Sequence, residues 1–377
     1  MAKKAFFVFR FIYLVFIVLL INQCTSPSGW KGSPYLYGSG KYGSLSTKAR
    51  IVRVKIYEGA AKEIDFMGPY IFIKDNNSKG QGEGIIKPDF SGEFRGHEEK
   101  FKIANNIYIG RLKVSIDNGK YIFINLISEE EYLISVVGHE MNASWPLETL
   151  KAQTVVARTY LYQRMRENKD KIFDIDGTTK HQVYGGKIEN DENLREAILK
   201  TSREVVMFSG DLAEVFFHSA CGGHTEDAKE VWEKSFAYLT GKKTGFCKDS
   251  PEYSWKKSIP INRLEKMFGV KQITSVKIQK KTTSGRAESI ALFSGSASKI
   301  VKADIFREKL DVKSTFFDLK IISSNLEFTG KGYGHGVGLC QWGSRKMVEN
   351  KKASYKQIIY FYFPGTVVSR ARMPVIT

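Results

Sequence analysis

Between Ile51 and Ile127 apolar and polar positions alternate in short runs, IVRVKIY, YIFIKD, FKIANNIYIGRLKVSI and KYIFINLI, separated by Gly, Asn and Asp. Successive side chains of a strand face opposite ways, so this period of two predicts β-strands and hairpins. The stretch from Asp75 to Gly96, dense in Gly, Lys and Asn, predicts a mobile loop among them. After Ser128 the period changes. Tyr132, Leu133, Val136, Val137 and Glu140 recur at helical spacing, and Glu129, Glu130 and Glu131 stand in the first turn, where the helix dipole favours acids. This helix ends near Glu140. Ser144-Trp145-Pro146 opens a second one, Leu147 to about Glu167, with the proline tolerated at the start because first-turn amides lack partners within the helix.

Beyond His181 the content is mixed again. EVVMFSG, AEVFFHSA, SVKIQKK and SIALFSG are strand candidates, and Tyr355 to Phe363 predicts a last helix before Pro364-Gly365-Thr366. The order of elements is that of an α+β fold, with a β-rich segment, 51–115, followed by a mixed α/β core, 116–377. No internal repeat interrupts it.

The start of the chain has a different character. Lys3, Lys4 and Arg10 precede the apolar run Phe11 to Ile21, which is shorter than the roughly 20 residues a membrane span needs and reads as an export signal. Cys24 is close behind. Leu20-Ile21-Asn22-Gln23-Cys24 is similar to a lipoprotein signal over residues 1–24, with Cys24 as the lipidated residue and Gln23 departing from the small residue usual there. The competing reading is an ordinary signal or anchor in which Cys24 is incidental. Residues 25–50, rich in Ser, Gly, Tyr and Lys, read as a tether. These features predict a membrane-anchored protein on the extracytoplasmic side of the cell envelope.

Composition bounds the function classes. Apolar residues at 42%, charged at 26% and aromatic at 13% describe a folded protein. The net charge of +18 stays near +15 without the first 23 residues, and such a surface concentrates polyanions. Basic residues are interspersed with acids and no nucleic-acid module is recognisable, so nucleic acid is not the expected partner.

Four blocks narrow the choice. They are EEEYLISVVGHEMNASWPLETLKAQTVVARTYLYQRM (Glu129 to Met165), DGTTKHQVYGG (Asp176 to Gly186), FFHSACGGHTEDAKEVWEKSFAYL (Phe216 to Leu239), and GKGYGHGVGLCQWG with its trailing FYFPGT (Gly330 to Thr366). Long blocks in fixed order are far more specific than a short motif. Over the last two thirds of the chain they resemble the stage II sporulation protein D family together with the LytB-type amidase enhancers. The resemblance implies a core with a glycan-binding cleft and, for members that are enzymes, lytic transglycosylase action on peptidoglycan, in cell-wall remodelling or sporulation. It places the catalytic glutamate in the Glu-Met pair, at Glu140.

Local chemistry agrees with that placement. An acid must protonate the leaving glycosidic oxygen, and the same carboxylate can then accept the proton of the muramoyl 6-hydroxyl as a 1,6-anhydro ring closes. A raised pKa suits the task, and Met141 and Trp145 are available as apolar neighbours. For holding the sugar the candidates are Gln182, Tyr184, Tyr333, His335, Arg158 and Gln341, with Trp342 as a cleft wall or a core residue. Tyr333 and His335 lie among four glycines, an arrangement that lets backbone approach a bulky glycan. His335 has a structural alternative, and Arg158 could pair with a muramoyl carboxylate or with a buried acid. Glu148 reads as a surface residue.

His218, Cys221, Cys247 and His224 could together hold a structural zinc ion, since four N and S ligands suit a tetrahedral site. A disulfide between Cys221 and Cys247, or free thiols, are the alternatives in an exported chain. No cofactor is expected for catalysis itself. Two other functions compete with the enzyme: a non-catalytic, peptidoglycan-binding enhancer of an N-acetylmuramoyl-L-alanine amidase, and a polyanion-binding lipoprotein without activity.

Overall fold

The structure is a computed structural model that describes residues 50–177 and 182–371. Cys24 and the signal and tether segments lie outside the described residues. From Arg50 onward the chain forms one compact unit. No helix among the described residues is long and apolar enough to cross a membrane.

The unit begins with β1 (Ile51–Gly59), β2 (Ile64–Lys74), β3 (Lys79–Ile86), β4 (Gly92–Gly96), β5 (Lys100–Ile103), β6 (Asn106–Ile109), β7 (Arg111–Asp117) and β8 (Lys120–Ser128). Helices α1 (Glu129–Glu140) and α2 (Leu147–Glu167) come next, then β9 (Ile175–Asp176) and α3 (Glu192–Lys200). One nine-stranded sheet takes the order β6-β5-β2-β4-β7-β8-β1-β9, with β3 also on β2. All its pairings are antiparallel except that of β9 with β1.

The predicted loop from Asp75 to Gly96 is therefore mostly strand, because β3 and β4 fall within it. Its glycines concealed this. A Cβ at Gly80 would stand 2.3 Å from the Phe72 ring and one at Gly82 2.4 Å from the Tyr70 hydroxyl. Rings from β2 lie across the bare backbone of β3 and supply the cover its own side chains lack.

Segment 51–115 shares its core with the helices. Val52, Phe94, Leu112 and Phe123 of the sheet are buried in the same cluster as Tyr132, Val136, Leu150 and Val155 of α1 and α2. Ser128 caps α1 by accepting from the Glu131 amide at 3.3 Å. The first-turn acids are not merely solvated: Glu129 is buried, accepting from Arg158 Nε at 2.8 Å and from the Tyr162 hydroxyl at 2.7 Å. Arg158 also donates to the carbonyls of Thr201 and Glu204, so of its two expected partners it takes the buried acid and ties α2 to the turn that follows α3. Arg158→Ala should cost about 3–5 kcal/mol by stranding a buried carboxylate. Urea denaturation checks this, and a loss under about 1 kcal/mol, the range of a solvent-exposed pair, would show the pair to be dispensable.

The chain continues through β10 (Glu204–Phe208), β11 (Asp211–Leu212), β12 (Phe217–His218) and α4 (Ala228–Trp232). A second hydrophobic core then forms from β13 (Ser254–Pro260), α5 (Ile261–Phe268), β14 (Ser275–Lys281), β15 (Ala287–Ser294), β16 (Ala297–Lys302), α6 (Ala303–Leu310), β17 (Phe317–Ile322) and β18 (Asn325–Lys331). Trp255, Phe306, Phe317 and Phe328 fill it. The chain re-enters the first core with β19 (Leu339–Cys340), α7 (Gln341–Lys351), α8 (Tyr355–Tyr362) and β20 (Val367–Arg370).

Candidate functional site

Glu140 is the last residue of α1, half-buried, at the helix end whose carbonyls carry partial negative charge. Burial pushes its carboxyl above the usual carboxylate range, opposed by the Val183 amide and the Gln341 side chain that hydrogen-bond it. Those donors approach Oε1 and Oε2, each at 3.3 Å. Met141 is buried beside it, and the Asn142 side chain turns the backbone by accepting from the Ser144 amide at 2.8 Å. Trp145 then meets Trp342 edge to face at 5.0 Å between ring centroids, next to Gln341. Residues about two hundred positions apart thus converge on one carboxylate.

Of the sugar-binding candidates, Gln341 reaches Glu140 and Tyr333 is 45% exposed, with its ring open to a ligand. Three others are spent inside the protein. Gln182 accepts from the Tyr132 hydroxyl at 2.9 Å and donates to the Ala157 carbonyl at 3.4 Å. Tyr184 donates to Asn125 and stacks on Tyr132. Both are buried and brace α1 against the sheet, so they position the segment that carries the Val183 amide instead of facing a glycan. His335 accepts the Val337 amide on Nδ1 at 3.0 Å, uses the Phe217 carbonyl for its other proton, and is held neutral by burial. It is a brace too. Glu148 is half-buried, pairs with Lys151 and accepts the first amide of α8 at 2.8 Å.

The four glycines around Tyr333 and His335 serve a different purpose from the expected one. A Cβ at Gly338 would stand 2.2 Å from the Phe216 carbonyl oxygen, and at Gly334 2.9 Å from the His218 Cβ. With φ of 72° and 103° these positions admit few other residues. They let segment 332–338 lie directly on 216–221, where Tyr333 pairs with Ala220 and β19 runs parallel to β12.

That close approach assembles a buried cluster. The ligand atoms of His218, Cys221 and Cys340 lie within 4.8 Å of one another, and Cys247 Sγ is 3.2 Å from Cys221 Sγ. All three thiols are free and buried. His218 donates through Nδ1 to the Val337 carbonyl at 3.0 Å, which leaves Nε2 a lone pair with no hydrogen-bond partner among the described residues. Burial, and then the nearby Arg286 guanidinium, push the His218 pKa down to about 3 and keep the ring neutral. A neutral imidazole whose far nitrogen is fixed by a carbonyl is the form that ligates a metal. His224 does not join the group. Gly222 and Gly223, both at positive φ, turn the chain, and His224 Nδ1 bonds the Thr225 carbonyl at 2.6 Å. Cys340 stands in the cluster instead, and its sulfur also accepts amides from Cys221 and Gly343 at 3.3 Å.

Comparison with known proteins gives the family. A family model described as Stage II sporulation protein matches residues 117–208, the stretch that carries Glu140, and one described as a domain of unknown function (DUF8618) matches residues 228–338, which include the second core. The chain is 34% identical to an uncharacterised protein of Brachyspira hyodysenteriae over 71% of its own length and 74% of the relative's. To the Stage II sporulation protein D of Bacillus subtilis it is 31% identical, over 64% of this chain and 74% of that one. An amidase enhancer of the same organism is 31% identical over 63% of this chain, which spans only 40% of that relative. The chain belongs to the stage II sporulation protein D family.

Proposed function

We propose that this protein acts on the bacterial cell wall by cutting the peptidoglycan glycan strand as a lytic transglycosylase, with Glu140 as the only group that gives and takes the proton. The observation that carries this reading is the half-buried Glu140 carboxyl, raised in pKa and held on both oxygens by the Val183 amide and the Gln341 side chain. Protonated Glu140 donates to the oxygen linking N-acetylmuramic acid to N-acetylglucosamine, and the C1–O bond breaks as that oxygen leaves with the proton. The carboxylate so formed accepts the proton of the muramoyl 6-hydroxyl while O6 bonds to C1. Atoms balance without water, and Glu140 returns to its acid form. Incubating the purified protein with glycan strands and searching by mass spectrometry for 1,6-anhydromuramic ends tests the proposal. Their absence would leave the enhancer reading, which the similarity to an amidase enhancer favours and which predicts faster cleavage by a separate amidase.

The reaction starts from the protonated acid, so kcat/KM should fall as pH rises through the Glu140 pKa. Gln341 stabilises the carboxylate form, and removing its amide raises that pKa further. Gln341→Met should therefore move the descending limb to higher pH. A limb that stays in place or moves down would separate Gln341 from the titration.

We further propose that His218, Cys221, Cys247 and Cys340 hold a zinc ion. Its chemistry there would be structural, because four protein ligands leave no position for water. The set clamps β12 to β19 and to the loop at Cys247, and so supports the segment that delivers Gln341 to Glu140.

A further inference from the structure

On α7, the helix whose first residue Gln341 bonds Glu140, lies a cavity of about 280 Å3 lined by Phe246, Asp249, Trp342, Arg345, Lys346 and Glu349. Trp342 links cavity and carboxyl: the preceding residue, Gln341, bonds Glu140, and its own indole meets Trp145. The Arg345 guanidinium lies over both indoles, 5.2 Å from the Trp342 ring and 5.3 Å from that of Trp145, and fixes their orientation. Phe246 forms a second aromatic wall, itself set by an edge contact to Phe361.

Charges at the rim are already matched. Arg345 pairs with Glu349 at 2.6 Å, and Lys346 pairs with Asp249 and with Glu349. Two cations face two anions, so an added carboxylate would gain no surplus positive charge. A neutral ligand that both donates and accepts hydrogen bonds fits this rim, provided it also has a flat apolar face for the aromatic walls. A pyranose ring has both properties. The volume is near the small end of ligand pockets, roughly 300–1,000 Å3, and suits one ring.

We infer that this cavity is a saccharide subsite, which holds a ring of the glycan strand one or more units from the bond beside Glu140. The inference rests on the proposed action on peptidoglycan, and it makes the protein a reader of strand length. Longer strands reach both Glu140 and the cavity, whereas a disaccharide reaches one.

The test measures binding of peptide-free oligomers of two, four and six alternating N-acetylglucosamine and N-acetylmuramic acid rings to Glu140→Gln protein, which keeps them uncut. Affinity should rise with length, and Trp342→Ala should abolish most of that rise, weakening the six-ring oligomer about tenfold and the disaccharide by much less. Asp249→Ala, at an exposed rim position, serves as the second variant where loss of the indole disturbs folding, and it should reduce the same rise. Equal affinities across lengths, or a rise untouched in both variants at unchanged melting temperature, would overturn the subsite. So would a parallel titration in which only oligomers bearing stem peptides bind and salt abolishes that binding, which would assign the cavity to an anionic peptide. Product analysis of the wild type on the same oligomers reports separately on cleavage, so failure of the reaction and failure of the subsite are distinguished by different measurements.

Discussion

Replacing Glu140 by Gln is expected to lower glycan cleavage by roughly 10²–10⁴ or more while leaving folding and wall binding in place. Gln has nearly the same volume, and its carbonyl can still accept one of the two hydrogen bonds from Val183 and Gln341. What it cannot do is release a proton to the leaving oxygen and take another from the 6-hydroxyl. In the proposed reaction both half-steps use the one carboxyl, and Glu148, the nearest acid in sequence beyond α1, is engaged with Lys151 and the start of α8. Release of anhydromuramic ends, with a melting curve as the control for folding, gives the comparison. Cleavage within a few-fold of wild type in a folded Glu140→Gln protein would move the chemistry elsewhere.

Loss of the cysteine and histidine cluster should show in stability before it shows in chemistry. Elemental analysis of protein purified without added metal should find one zinc per chain, and a strong chelator should lower the melting temperature by roughly 10 °C, since domains of this size shift a few degrees per kcal/mol. Cys340→Ser should do the same and lose the metal, because Cys340 and His218 are brought together by the pairing of β19 with β12. His224→Ala should retain it, as His224 bonds its own neighbour's carbonyl. The chemistry differs sharply from that of a disulfide. With Cys221 and Cys247 joined, two thiols would be missing under denaturation, reductant would destabilise, and chelator would do nothing. Absence of zinc with all thiols reactive would remove both explanations.

What is legible in the sequence depends on how far along the chain its signal extends. Helices α1 and α2 are legible because their signals are local: apolar residues every three to four positions, acids in the first turn, and Ser-Trp-Pro before Leu147. Residues at such spacing face one way whatever they later meet. Most strands of the first sheet are marked by alternation for the same reason; β4, the two-residue β9 and, most plainly, β3 are not. In β3 the cover comes from Phe72 and Tyr70 on the neighbouring strand, which no window of β3 itself contains.

Placement of side chains in space is a different matter. Gln182 and Tyr184 carry groups suited to a sugar, yet only packing shows that Tyr132 and Asn125 have claimed them. The Val183 amide is backbone and has no signature in composition. Cys340 has one weak signal: Cys24, Cys221, Cys247 and Cys340 are the chain's four cysteines, and three fall within the resembling blocks or close to them. Spacing points to His224 instead, since it sits three residues from Cys221.

By itself, then, the sequence determined most of the elements, their order, and the acid that ends α1, because periodicity, capping and an ordered set of family blocks are written along the chain. The tertiary structure alone decided which polar groups remain free to act. That depends on the glycine-permitted contact of 332–338 with 216–221, which carries Cys340 to His218 and Gln341 to Glu140 across more than a hundred residues. A carboxyl is tuned, and a thiol recruited, by neighbours a few ångströms away, and those neighbours are chosen by packing.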